Sequence, residues 1–504
     1  MTLNRLNILR LIRSVRGKKG YFFCNINIKI YLLRHISCNA LVSWRLFFYR
    51  GNYMAKLGIL CYPVRGRLYP LITIGSKLQS MGHKVTLVAY EEIPMASLIS
   101  ASGLDVVYIK RSEVKPDTLP KNIFLRFHKI MLGIFYKFCR IFRIRKLSRM
   151  LGRFAVGLYT YSNVYEKYYE GMVAYDIGNL CETIKPCSFH LLLVSDTSYA
   201  VKTVAEFLQI PMLSFSTGIP HLKRPIVPPE FTSLKGFDTG LLRLRNRFLN
   251  TIKDQVHKPL LYRVNAYRKT LSLPPHACLA DTVSDLHYIM QMPLELEFSA
   301  GDPDKRLHYL GPTYEKNTRE KISFPWERLN GLPLIYVSAG TIADSDVYFR
   351  RIAEAGVDLP VQMVFTRGGS KYPLDDSLPG DPLIVDYAPQ LEVLSQAKIV
   401  ITHGSLNTII ESLSFGVPLI CIPQALDQFG TAARVAKVGA GITLTPLAVS
   451  ASSIRRAVMN IVSDPSYSAV AQTFQTGHKN SDSLQTIVDL VETVVHHQES
   501  VVNV

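Results

Sequence analysis

None of the eight cysteines, at positions 24, 38, 61, 139, 181, 187, 278 and 421, stands in a C-x-x-C pair, and none has the cysteine–histidine spacing of a zinc site. The pattern offers neither a disulfide framework nor a metal finger, and buried, reduced thiols in a cytoplasmic chain are the expectation. No stretch reaches the roughly 20 uncharged apolar residues that a membrane span needs. The longest uncharged runs, such as Ser412 to Leu426, carry proline, glycine and serine and read as strand plus loop. Acidic residues are missing from two segments: residues 1–53 and 118–165 each hold ten Lys/Arg and no Asp or Glu. The chain has 58 Lys/Arg against 39 Asp/Glu, a net +19, but outside these two segments the signs balance. A neutral body argues against a general nucleic-acid binder, which carries its charge on the folded face.

What is present suits a large α/β protein. Its 504 residues, 48% hydrophobic and 19% charged, can bury cores over about two to four domains. Residues 1–53 form a basic, aromatic extension without the single apolar core and small-residue cleavage site of a secretory signal. Three readings stay open for it: a start assigned too early with Met54 the true beginning, a basic amphipathic arm on an anionic membrane, or a transit peptide.

From Met54 onward, strand and helix signals alternate. Leu57 to Pro63 reads as a buried strand, Tyr69 to Gly82 as an amphipathic helix, Lys84 to Tyr90 and Leu104 to Ile109 as strands. Strand–helix–strand with tight connections predicts a parallel sheet. A basic helical segment interrupts it over 121–161, and the helical pattern continues over 166–184. The sheet resumes at Leu191 to Ser195 and Pro211 to Phe215, a Pro-rich loop covers 217–239, and a basic helix runs from Leu241 to Leu271. Short strands at 286–292 and 306–310 close this half. The polar stretch 312–331 reads as a linker. A second α/β half has strands at 332–337, 361–365, 383–385, 399–402 and 419–422 and helices at 344–355, 390–396, 405–415 and 428–438. The expected organisation is therefore an extension (1–53), a first α/β domain (54–311), a linker (312–331), a second α/β domain (332–480) and a C-terminal helix (481–504). Two doubly wound Rossmann-like halves face each other across a cleft, with ligands at the carboxyl ends of strands.

The informative run is Asp386 to Gly441. A strand delivers His403, Gly404 and Ser405 to a turn, and a helix begins near Leu406 or Asn407. First-turn amides and the helix dipole make that turn an anion site suited to phosphate. Gly404 permits close backbone approach, and His403, Ser405, Asn407 and Thr408 add donors. Glu411, one turn on, is placed to bind vicinal hydroxyls of a ribose. Asp427 and Gln428, side by side at the start of the next helix, suit sugar hydroxyls.

This run resembles the nucleotide-sugar signature of the family-1 UDP-glycosyltransferases, W-x-P-Q-x-x-V-L, then T-H-G-G-x-N-S-x-x-E-x-x-x-x-G-V-P, then P and D/E-Q. The matching residues are Ala388, Pro389, Gln390, Leu394, Thr402, His403, Gly404, Asn407, Thr408, Glu411, Gly416, Val417, Pro418, Pro423, Asp427 and Gln428. The ending D-Q-F-G-T-A-A-R-V is most similar to the bacterial zeaxanthin (carotenoid) glucosyltransferases and macrolide glycosyltransferases. The resemblance implies the GT-B fold and an inverting, metal-independent transfer without a cofactor beyond the UDP-sugar donor. It implies that Tyr387 replaces the usual tryptophan stacked on uracil and that Gln390 bonds the base or ribose. His403, Thr408 and Asn407 hold the diphosphate, and Glu411 holds the ribose. Asp427 and Gln428 bind a glucose-like hexose, and the loop Ser338 to Thr341, including Gly340, touches phosphate. Ser405 replaces a glycine, at a cost of about 1 kcal/mol if that position needs positive φ.

At the position where the family carries its catalytic base, in G-H-x-x-P, this chain reads Gly66-Arg67-Leu68-Tyr69-Pro70. Arginine stays protonated and cannot accept a proton. The second member of the dyad is present as Asp196. Three readings stay open: Asp196 is the base, the acceptor needs little deprotonation, or the protein binds a nucleotide sugar as an impaired, auxiliary chain. Asp344-Ser345-Asp346 reads as a helix opening rather than a metal motif. The segment 121–153 alternates aromatic and Lys/Arg residues at helical spacing, as a core-plus-solvent helix or a membrane-surface helix would, and contact with a membrane surface is the expectation there. The sequence thus predicts a cytoplasmic, membrane-associated hexosyltransferase. Its partners are a UDP-glucose-like donor and a lipophilic hydroxylated acceptor, with no nucleic acid.

Overall fold

The computed structural model describes residues 54–61, 64–90, 96–110, 157–163, 179–234, 236, 239–298, 304–314, 319–338, 346–368, 378–446 and 449–502. The extension 1–53 and the segment 121–153 lie outside the described residues, as do Gly340, Thr341, Asp344 and Ser345. The chain divides into two units, Met1–Met54 and Ala55–Val504, and everything below concerns the second.

Its first sheet, among the described residues, comprises β1 (Lys56–Leu60), β2 (Lys84–Tyr90), β3 (Asp105–Ile109), β4 (Leu191–Ser195), β5 (Met212–Ser216), β6 (Tyr288–Met290) and β7 (Leu307–Tyr309) in the order β3-β2-β1-β4-β5-β6-β7. All its pairings are parallel. The second comprises β8 (Leu334–Ser338), β9 (Gln362–Thr366), β10 (Leu383–Val385), β11 (Ala397–Thr402), β12 (Leu419–Cys421) and β13 (Gly441–Thr443), ordered β10-β9-β8-β11-β12-β13 and again parallel. Both sheets are doubly wound, as the alternating pattern predicts, and each reverses its order once: between β1 and β4, and between β8 and β11. Ligands sit at such reversals.

The strands are short apolar runs because both faces are covered. Tyr336, Val364 and Val400 enter one core with Leu406, Ile409 and Leu413. Ile335, Val337, Phe365 and Ile401 enter the opposite core with Phe349 and Ile352. Helix α1 (Arg65–Ser80) buries Leu68, Leu71, Ile74 and Leu78. It starts four residues before the predicted Tyr69. Pro70 has no amide to give the Gly66 carbonyl one turn back, and the Asn407 amide of the other half fills that vacancy. α2 (Ala96–Ala101) and α3 (Val201–Phe207) follow, then α4 (Gly240–Thr270), capped by the Thr239 hydroxyl. The second half adds α5 (Asp346–Gly356), α6 (Gln390–Leu394), α7 (Leu406–Ser414) and α8 (Gln428–Val438), then α9 (Ala451–Ser463), α10 (Ser466–Asn480) and α11 (Ser483–Val502). The strand β13 was not predicted: it is three residues long and begins with glycine, too little for a period-2 signal.

The two halves are locked together below the cleft. Glu297, from the first half, accepts from Arg434 Nε and Nη2 of α8 at 2.9 and 2.6 Å and from Arg224 Nη2 at 2.6 Å. Glu297 and Arg434 are fully buried. Burial works to raise the Glu297 pKa, but Arg434 and Arg224 outweigh it, and the value falls to about 2.

Candidate active site: a nucleotide cleft between two switch points

A cleft of about 500 Å³ opens at the carboxyl ends of β8 and β11. From the second half it is lined by Ser338, Tyr387, Ala388, Gln390, His403, Ser405, Asn407, Thr408 and Glu411. These are most of the donor residues expected from the sequence, gathered by the pairing of Thr402 with Ser338 across β11 and β8. Arg67, Asp196, Gly404, Asp427 and Gln428 do not line it.

The turn after β11 leads directly into the N-terminus of α7. Gly404 holds φ +92°, and an added Cβ would come within 3.0 Å of the Gln428 carbonyl. The Thr431 hydroxyl of α8 donates to the Gly404 carbonyl. Ser405 sits at φ −60°, ψ 131°, as the residue before α7. The possible cost of serine there does not arise, because glycine at 404 absorbs the left-handed turn. His403 Nδ1 lies 3.3 Å from the Ser338 carbonyl, and burial drives the imidazole down to about 4 despite that contact. The ring is neutral at pH 7, with its tautomer set by a backbone acceptor. Glu411, 3% exposed, accepts Gln390 Nε2 at 2.7 Å on one oxygen and Arg319 Nη2 at 2.5 Å on the other. Gln390 Oε1 in turn accepts the Tyr336 hydroxyl at 3.2 Å.

Sequence reasoning missed part of this wall. Arg65, Tyr69, Arg319 and Glu320 also line the cleft. Arg65 stands over the Tyr387 ring at 4.3 Å and binds Glu320 at 2.7 Å. Arg319 lies in the stretch read as a linker, and no local pattern marks it. Its role comes from a contact spanning 92 residues.

At the first sheet's reversal, Arg67 follows β1 and Asp196 follows β4. Arg67 Nη1 donates to the Thr197 hydroxyl. Asp196 Oδ2 accepts the Tyr288 hydroxyl at 2.7 Å, and burial together with that carboxylate holds the phenol well above its ordinary pKa. Asp427 follows Leu426, whose φ of +53° is strained for leucine. An added Cβ on Gly218 would meet Asp427 Oδ2 at 2.7 Å, so the loop after β5 abuts it. Burial pushes Asp427 up to about 6, while Arg67 pulls it down. Gln428 Oε1 is committed to the backbone amides of Gln424 and Ala425, at 2.8 and 2.9 Å.

Residues 350–494 match the family described as erythromycin biosynthesis protein CIII-like, C-terminal domain. A zeaxanthin glucosyltransferase of Pantoea ananas is 24% identical over 311 residues, 60% of this chain and 71% of its own. The chain is similar to the family-1 glycosyltransferases. The uncharacterized UDP-glucosyltransferase YojK of Bacillus subtilis strain 168 matches this chain at 24% identity over 462 residues, 89% of this chain and 99% of the relative. The uncharacterized UDP-glucosyltransferase YdhE of the same strain is 28% identical over 193 residues, and there the match spans only about half of the relative, 48%, and 38% of this chain. The glycotransferase of kitacinnamycin superposes with TM-score 0.62 at 21% identity, covering 88% of this chain and 99% of that one. Spinosyn rhamnosyltransferase SpnG, complexed with thymidine diphosphate, superposes with TM-score 0.58 at 16% identity, covering 87% and 100%. The GT-B fold expected from the sequence is the fold observed.

Proposed function

We propose that the protein transfers a hexose, glucose by preference, from a UDP-sugar to a hydroxyl of a lipophilic small molecule, with inversion and without a metal. One observation carries the reading. Glu411, bound to Gln390 at 2.7 Å, lines the same cleft as Tyr387 and the His403–Thr408 turn. A carboxylate for ribose hydroxyls and a helix N-terminus for a diphosphate are thus spaced within one α7 turn. The UDP-glucosyltransferase and zeaxanthin glucosyltransferase names of the relatives support the donor and the acceptor class.

Chemically, the helix amides and His403 stabilise the leaving diphosphate as negative charge develops on it. The acceptor hydroxyl attacks the anomeric carbon from the opposite face and loses its proton as the bond forms. Arg67 cannot take that proton, so Asp196, oriented by Tyr288, takes it. Asp427 at the start of α8 holds the hexose. The test is UDP titration together with UDP-glucose turnover. His403→Ala is expected to weaken UDP at least about tenfold, and Asp196→Asn to abolish turnover while UDP still binds. UDP binding as strong in His403→Ala as in the parent would overturn the reading.

Arg67 favours a second reading, a nucleotide-sugar-binding auxiliary chain. Tight UDP binding with no turnover on UDP-glucose and a lipid extract would establish it. Membrane contact belongs to the same proposal. Among the described residues no helix is long and apolar enough to cross a membrane. The start of α4 nevertheless exposes Leu241, Leu244 and Phe248 by 76%, 63% and 65% amid arginines, which fits an anionic surface on the cytoplasmic face. Co-sedimentation of the chain with anionic but not neutral vesicles tests it.

A further inference from the structure

Both groups that face the nucleoside are held by arginines of the chain itself. Arg319 sits 2.5 Å from Glu411 Oε1 and stacks its guanidinium 4.3 Å from the centroid of Tyr69. Arg65 covers the Tyr387 ring and is tied to Glu320. Glu411 is 3% exposed, with one oxygen on Gln390 and the other under Arg319, so ribose hydroxyls reach its remaining lone pairs only when Arg319, whose side chain is 18% exposed, swings aside. A displaced guanidinium inside this cleft needs another anion. The His403 turn offers only partial positive charge, from helix amides and a neutral imidazole, and an arriving diphosphate carries full negative charges.

Building on the donor-binding reading above, we propose that Arg319 is a donor-binding residue that gives up Glu411 to the ribose and pairs with the diphosphate. Ribose and diphosphate are then recognised together. Uridine must break the Arg319–Glu411 pair without recompense, whereas UDP restores the arginine's partner. The chain thereby selects nucleoside diphosphates over nucleosides through a residue of its linker.

The test is titration of the full chain with UDP and with uridine, in the parent, Arg319→Ala and Arg319→Gln. The glutamine keeps an amide donor for Glu411 and guards against misfolding, which thermal unfolding without nucleotide monitors. Both variants are expected to weaken UDP by about tenfold or more while uridine binds as well as in the parent or better. Parallel weakening of UDP and uridine, or unchanged UDP, would overturn the proposal and leave donor binding standing. A parent chain that binds no UDP would overturn donor binding itself, and this proposal with it.

Discussion

Asp427, against the loop after β5, shows how a single side chain can cost stability. Burial raises its pKa to about 6, against an ordinary 3.8. Between those values the folded protein keeps a proton that the unfolded chain has lost. Protonation therefore favours the fold below about pH 4, and the gain is lost as pH rises through about 6. At pH 7.5 the folded state carries a poorly solvated carboxylate. Asp427→Asn is expected to raise the melting temperature at that pH, and the difference from the parent is expected to vanish by about pH 4, measured by thermal unfolding across the range. The identity of this residue was readable in the D-Q pair. Its raised pKa was not, because it depends on the loop after β5, far away in the chain. The same holds for Ser405: its harmless conformation depends on Gly404 taking the positive φ.

At the scale of elements, α11 returns to the first half after a whole domain has intervened. It packs on α1 and β4. His83 Nε2 meets Glu492 Oε1 at 2.6 Å, while Ile487, Val488, Val491 and Val495 are at most 1% exposed. Four such side chains are worth roughly 6 kcal/mol or more in burial, comparable to the stability of a domain. Truncation after Asn480 is expected to leave the first half unfolded or aggregated, with rapid proteolysis around α1 as the readout. Except for the end of β1, which stops at Leu60 and not Pro63, and the unpredicted β13, strand positions were legible to within a residue or two, because buried parallel strands are short apolar runs. The start of α1 was not legible. Arg65 to Leu68 carries no apolar period, and the helix is extended by an acceptor contact to Asn407, 341 residues away.

At the scale of the whole molecule, the Glu297–Arg434–Arg224 group sets the relation between the halves. Removing one partner of a buried pair typically costs about 3–5 kcal/mol. Glu297→Gln leaves Arg434 buried with no carboxylate, so the denaturation midpoint is expected to fall by that amount divided by the m-value, with the cleft geometry loosened. In the parent, the contribution of Glu297 is present above its ordinary 4.5 and is lost as pH falls toward about 2. Acid titration of unfolding checks this, since Glu297→Gln removes stability from that window and flattens the curve there.

Local signals by themselves determined the two doubly wound halves and the strand–turn–helix layout of residues 403–411. Strand periodicity, the glycine after β11 and the carboxylate one turn into α7 all act over fewer than ten residues, and a sequence records such spacings directly. Only the tertiary structure decided that Arg319 occupies Glu411, that Arg65 covers Tyr387, that Tyr288 engages Asp196 and that Arg434 binds Glu297. Each of these joins groups from 92 to 322 positions apart. Charge pairing across such distances follows from how two sheets are packed against each other, and that packing leaves no periodic trace in the chain.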